Sequence, residues 1–158
     1  MRVGIGYDIH KLSKKNDLIL GGVNIPHFKG LAGHSDADVL VHALIDALLG
    51  AAALGDIGSH FPDNDPQYQN ISSLILLKKT VDLLKERKYN INNVDLIIIA
   101  EKPKISTYKD EIISNLRRVM ELEVADINLK ATTAEGLGFV GKEEGIAAKA
   151  IVSLKNSR

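Results

Sequence analysis

Residues 36–54 read DADVLVHALIDALLGAAAL, the strongest helical stretch in the chain. After its opening Asp36 it is apolar except for Asp38, His42 and Asp46, and the segments around it say what it packs with. Residues 2–8 alternate and are β-prone, as are residues 18–25 (LILGGVNI), where Gly21-Gly22 predicts a bulge or turn. Positions 72–88 predict an amphipathic helix with Leu74, Leu77, Val81 and Leu84 on one stripe. The β-branched run from Val94 to Ala100 predicts a strand buried on both faces. A second amphipathic helix over 106–122 and strands over 126–133 and 145–154 complete the pattern. The order β-β-α-α-β-α-β-β predicts an α/β (α+β sandwich) fold, a mixed sheet packed against helices in a single domain over residues 1–158.

Composition narrows the function. A chain of 158 residues has room for one core of ordinary size. Twenty basic residues offset twenty acidic ones, so no global field draws nucleic acid or an anionic membrane. The absence of cysteine removes disulfides and thiolate chemistry, leaving His, Asp and Glu as metal ligands. Trp is missing and aromatics total 4%, which argues against base-stacking platforms. The start, MRVGIGYDIHKL, is strand-like and lacks the apolar stretch of a signal peptide. No run approaches the ~18 apolar residues of a membrane span. A cytoplasmic location is expected, either bacterial cytosol or a plastid stroma after loss of a targeting segment.

Asp8 and His10 sit two apart in a strand-like segment, so both side chains leave one face, about 6–7 Å apart along the chain. His42, in the middle of an apolar helix, is the best third partner for a shared ion. Asp38 and Asp46 stand at i−4 and i+4, where one could hold the other imidazole nitrogen. Three protein ligands with an open fourth position is the arrangement of catalytic zinc. Alternatively, His42 is a buried imidazole bonded to Asp38 or Asp46, and the Asp8–His10 spacing is chance.

Loops carry the remaining candidates. Gly33-His34-Ser35-Asp36 precedes the apolar helix, and Ser35 or Asp36 can cap it while exposed amides face an anion. His34 could donate to a phosphate oxygen. Residues 55–58 and 61–66 form a turn-rich acidic loop that could accept sugar hydroxyls or simply turn the chain. Lys102 and Lys104 bracket Pro103 at a strand end and could offset phosphate charge. Thr132, Thr133 and Glu135 could together hold a phosphate-bound divalent cation. Gly136, Gly138 and Gly141 match the dinucleotide fingerprint by letter, but no helix and ribose-binding acid follow at the required distance.

Taken together, GYDIH at 6–10, GHSDADVLVHALIDALLGAAALGDIG at 33–58, FPDNDP at 61–66 and KATTAEGLGFVGKEEGIA at 130–147 resemble the 2-C-methyl-D-erythritol 2,4-cyclodiphosphate synthase family. The resemblance runs the length of the chain. It implies a homotrimer with active sites at subunit boundaries, zinc on Asp8, His10 and His42, and a second cation, Mg²⁺ or Mn²⁺, near Glu135. His34 and Thr133 match positions that stabilise the transition state. Asp8, Ile9 and His10, with His34 and Ser35, match substrate contacts. So do Asp56, Ile57 and Gly58, and then Phe61, Pro62, Asp63, Asn64 and Asp65, on the methylerythritol part and its phosphates. Ala100, Glu101, Lys102, Pro103, Lys104, Ile105 and Ser106 match the cytidine pocket, which with Thr132, Thr133, Ala134 and Glu135 is supplied by the neighbouring subunit. Phe139 and Lys142 match a cavity on the three-fold axis that can hold an isoprenoid diphosphate. Lys142 stands where the family often carries arginine, keeping the charge and losing the bidentate fork.

The implied reaction is intramolecular. The 2-phosphate of 4-diphosphocytidyl-2-C-methyl-D-erythritol 2-phosphate attacks the β-phosphorus and expels CMP, making the enzyme a phosphorus–oxygen lyase of the non-mevalonate isoprenoid pathway. A metal-dependent phosphohydrolase would instead release inorganic phosphate or a linear product. A non-catalytic trimeric sensor would keep the pocket without needing three intact metal ligands.

Overall fold

The computed structural model describes residues 1–157. Strand β1 (Arg2–Ser13) runs past the predicted 2–8, so it carries both Asp8 and His10. It pairs antiparallel with β7 (Gly145–Asn156), and β7 pairs antiparallel with β5 (Tyr89–Ile99). Strand β6 (Ile127–Thr132) lies parallel to β5, and the two-residue β4 (Gly30–Leu31) borders β1. The resulting order β4-β1-β7-β5-β6 is a mixed sheet, as predicted. Ile9 and Ile99 both oppose Ala147, so the Asp8–His10 segment and the loop after β5 sit at the same end of the sheet.

Helices cover one face. The apolar stretch forms α1 (Val39–Ala52), which lies on β1 and β7 beside α3 (Ser73–Glu86), with α4 (Lys109–Met120) packed in turn against α3. Single-turn helices α2 (Ile57–His60) and α5 (Gly138–Gly141) interrupt the loops. The closest packing is between α1 and β1. A Cβ built on Gly4 would lie 2.0 Å from the Ala47 carbonyl oxygen, and one on Gly6 would lie 1.8 Å from that of Ala43. Only residues without a side chain let the helix rest on the strand backbone, with Ala43, Ala47 and Ala51 facing it.

Several expectations need correction. Strand β5 is not buried on both faces: Val94, Leu96 and Ile98 are buried under helices, while Ile97 and Ile99 on the reverse are half-exposed. That reverse face also carries Val3, 62% exposed, and Ile5, 70% exposed, with Tyr7, Ile9 and Ile151. The helices lie on one side of the sheet, and among the described residues nothing covers the exposed apolar side chains on the other. The segment 18–25 is two strands, β2 (Leu18–Leu20) and β3 (Val23–Ile25), in a hairpin whose turn is Gly21-Gly22, both at positive φ. The helix expected over 106–122 is a 3₁₀ turn at Ile105–Tyr108 followed by α4.

Neither Ser35 nor Asp36 caps α1. Asp38 does, accepting from the Val41 amide, and the same buried carboxylate accepts from the Gly21 amide at 3.0 Å and the Gly22 amide at 2.8 Å. One side chain therefore joins the hairpin turn to the start of α1. Asn115 Nδ2 donates to the Gly21 carbonyl from α4, anchoring the turn from its other side.

Burial, reinforced by the charge of Asp36, pushes the Asp38 carboxyl up from 3.8 to about 6 against the pull of the three amides. Its folded value exceeds its unfolded one, so the stability it lends is present below 3.8 and is lost as pH rises through about 6. Asp38→Asn turns a donor toward backbone amides and is expected to cost about 1–3 kcal/mol for a buried donor left without an acceptor. Urea melts should show the gap between wild type and this variant narrowing as pH rises across that window.

Candidate active site

The alternation of β1 sends Asp8 and His10 toward the helices, and the close seat of α1 brings His42 to them. Asp8 Oδ2 lies 3.1 Å from His10 Nδ1 and 3.3 Å from His42 Nδ1. The ligand atoms these three residues offer lie within 4.8 Å of one another. The two imidazoles meet edge to face, with ring centroids 5.0 Å apart. They border a cavity of about 250 Å³ that His34, Ser35, Ile57, Gly58, Phe61 and Asp63 also line.

The electrostatics suit a cation. Burial pushes Asp8 up, but the adjacent His10 and His42 outweigh it and hold the carboxyl well below the usual carboxylate range. Burial lowers His42, yet Asp8, with Asp38 and Asp36 farther off, leaves it raised above an ordinary imidazole. His10 Nδ1 is buried and makes no hydrogen bond, despite its distance to Asp8. A buried orphan nitrogen calls for a partner. Two imidazole nitrogens and one carboxylate oxygen converging beside an open cavity fit a divalent ion, which would supply it.

The expected support of His42 is different from that observed. Its Nε2 lies 3.0 Å from Ser35 Oγ and 3.0 Å from Ser73 Oγ, not against Asp38 or Asp46. Both acids are committed to backbone amides, Asp38 as described and Asp46 to Ile57 at 2.7 Å. Burial raises the Asp46 carboxyl, the Ile57 amide moderating it. Asp46 and Tyr68 nonetheless line the cavity. Nothing in the sequence marks Tyr68, and Ser73 is an ordinary helix-start serine until the fold places it beside His42.

The remaining candidates divide among three places. Asp56 caps α2 by accepting from the Ser59 amide at 2.9 Å, and Asp65 accepts from Gln67 at 3.1 Å to open the 3₁₀ turn Pro66–Tyr68. With Pro62 and Asn64 they shape the loop without lining the cavity. A second cavity, about 430 Å³, is bounded by Ala100, Glu101, Pro103, Lys104, Ile105 and Ser106 after the end of β5, facing Thr132 at the end of β6 and Thr133 just beyond it. Glu101 accepts from the Ala134 amide at 2.8 Å and the Gly136 amide at 3.3 Å, binding the two strand ends together. Thr133 Oγ1 donates to Glu135 at 2.9 Å. Lys102 turns away to Glu143, 3.1 Å distant. A third cavity holds Ile9, His10 and Phe139; Lys142 lines none of the three. The single turn of α5 lies inside the glycine triplet, so no dinucleotide-binding helix follows it.

The sequence profile of the YgbB family matches residues 1–155. A curated 2-C-methyl-D-erythritol 2,4-cyclodiphosphate synthase of Clostridium botulinum is 60% identical over 154 residues, covering 98% of this chain and 99% of that protein. The chain belongs to this family. The solved bifunctional IspDF of Campylobacter jejuni superposes with a TM-score of 0.94 at 42% identity, covering 98% of this chain; the match spans 42% of that longer protein. IspF of Plasmodium falciparum, solved as a CDP complex, superposes with a TM-score of 0.87 at 36% identity, covering 99% of this chain and 97% of that one. The solved relatives share the α+β fold over nearly the whole chain. Among the described residues no helix is long and apolar enough to cross a membrane.

A cation held by the cluster would bind with a signed pH dependence. Because Asp8 leaves His42 raised, protons compete with a cation from above the ordinary imidazole range, and affinity should fall as pH is lowered from 8 to 6. Titration calorimetry with Zn²⁺ should show one site per chain in the wild type and none in His42→Ala.

Proposed function

We propose that the chain converts 4-diphosphocytidyl-2-C-methyl-D-erythritol 2-phosphate to 2-C-methyl-D-erythritol 2,4-cyclodiphosphate with release of CMP, as a phosphorus–oxygen lyase of the non-mevalonate isoprenoid pathway. The observation that carries the reading is the Asp8–His10–His42 cluster with its orphaned His10 nitrogen, bordering a cavity in a chain of this family. The cluster would hold Zn²⁺, and Glu135 would face a second divalent cation, Mg²⁺ or Mn²⁺. Bound there, the ions would supply positive charge to the phosphorus under attack and to the departing CMP.

The residues of the chain do the positioning that phosphoryl transfer needs. His34, on the cavity wall, is suited to donate to a phosphate oxygen. Phe61 and Ile57 offer apolar contact to the methylerythritol part, and the backbone of Gly58 lets it approach. The cavity at the end of β5 would take the cytidine, in line with a relative solved with CDP, and Lys104 would lie near its phosphates. Thr133 would donate to the diphosphate as charge shifts, exchanging its present bond to Glu135. No general base is needed, since the attacking phosphate is already ionised.

Within one chain the two cavities share no wall, and the strands that carry them stand two to three spacings apart, roughly 10–14 Å. A homotrimer with composite sites would join them between neighbours. The uncovered face of the sheet, with Val3, Ile5, Tyr7, Ile9 and Ile151 exposed, is the apolar surface such an assembly would bury.

Phosphorus NMR of the products decides the chemistry: CMP and a cyclic diphosphate are expected, and inorganic phosphate or a linear product would reject the reading. His42→Ala and Thr133→Ala should each lose about 100-fold or more in kcat. Mixing the two variants should restore activity, since any mixed trimer contains one interface with both halves intact; monomeric light scattering would exclude shared sites.

A further inference from the structure

We infer that Asp36 and Ser73 form a positioning pair that holds the proton of His42 on Nε2, leaving Nδ1 free to face the metal position. The inference rests on the metal-centre reading above and concerns how the chain prepares one ligand. For Nδ1 to present a lone pair beside Asp8, the neutral ring must carry its proton on Nε2, and that N–H needs a dedicated acceptor.

Hydrogen counting identifies the acceptor. A serine hydroxyl has one hydrogen to give. The hydrogen of Ser73 is given to Asp36 Oδ1, and the other oxygen of that carboxylate accepts the Ser73 backbone amide at 2.9 Å. Both donors of Ser73 are thereby held by one side chain. What Ser73 Oγ retains is lone pairs, 3.0 Å from His42 Nε2. Ser73 is fully buried, so water has no access to take over the role. Ser35 Oγ, also 3.0 Å from Nε2, receives the Ala37 amide at 3.2 Å and lies 3.3 Å from Ser73 Oγ, to which its own hydrogen is given when Nε2 carries the ring proton.

A purely structural role for Asp36 is the competing account. Ser72 at the N-cap of α3 makes no side-chain capping bond, and Asp36 serves the first turn in its place by accepting the Ser73 amide. Capping uses the amide alone; the hydroxyl bond adds nothing to it. Asp36→Asn separates the two. Its single carbonyl oxygen cannot serve both the Ser73 amide, now on Oδ2, and the Ser73 hydroxyl and Asp38 amide, now on Oδ1; with the NH₂ group on the hydroxyl side, the hydroxyl hydrogen turns toward His42 Nε2. That arrangement favours the proton on Nδ1, the form that cannot bind an ion.

Zinc affinity, measured by competition with a chromophoric chelator, should fall roughly 10–100-fold in Ser73→Ala and in Asp36→Asn, the usual scale for losing the outer partner of a ligating histidine. Ser73→Thr, which keeps the hydroxyl, should stay close to wild type. Nitrogen-15 NMR of the zinc-loaded protein gives a readout independent of activity. The His42 Nε2–H should be protected from exchange in wild type and Ser73→Thr, and should exchange rapidly in Ser73→Ala. Unchanged zinc affinity and unchanged Nε2–H protection in Ser73→Ala would overturn the pair, as would an Asp36→Asn protein that melts earlier yet binds zinc normally. A wild-type chain that binds no zinc would overturn the metal centre itself, and this inference with it.

Discussion

The structure depends on how closely α1 approaches β1. Hydrogen in place of a side chain at Gly4 and Gly6 lets helix carbonyls come almost onto the strand backbone. Every relation in the candidate site follows from that seat. Asp8 and His10 continue the same strand face beyond the glycines, and His42 is one residue before Ala43, whose carbonyl meets Gly6. The ligands are therefore set by the densest part of the core rather than by loops. Shifting the helix outward by the width of one methyl group would separate His42 from Asp8 by more than a coordination bond tolerates.

Acidic side chains do much of the remaining assembly, and they do it by accepting backbone amides. Asp38 binds the hairpin turn to α1, Asp46 binds α2 to α1, Asp56 and Asp65 open short helices, and Glu101 ties the ends of β5 and β6. Each satisfies donors that loops and helix starts leave without partners. A net-neutral chain thus keeps few acids free around the cavity, and Asp8 is distinguished by facing two imidazoles.

The sheet, the helices and the meeting of Asp8, His10 and His42 were legible because each has a local cause. The two-residue period of a strand puts Asp8 and His10 on one face, and a histidine in an apolar helix has to serve something. Residues brought together by folding were not legible. Ser73 sits 31 positions from His42, and no spacing rule links them. Asp38 and Asp46 satisfied the helical i±4 rule for contacting His42, but backbone amides of Gly21, Gly22 and Ile57 claimed their carboxylates. The β-branched run of β5 implied two covered faces. The helices cover one, and a run of apolar residues does not reveal which of its two faces the rest of the chain will pack against.

The placement of the two cavities sets a rule for how copies can combine. One half of the proposed site borders β1 and the other borders β6, near opposite margins of a single rigid sheet. Joining them means docking one margin of a molecule to the opposite margin of the next, and two copies joined by one such head-to-tail contact still leave two half-sites unmatched. Any open chain of copies would leave one half-site without its complement at each end. Only a closed ring uses all of them, so the number of working sites would equal the number of subunits at closure and fall short of it in every incomplete assembly.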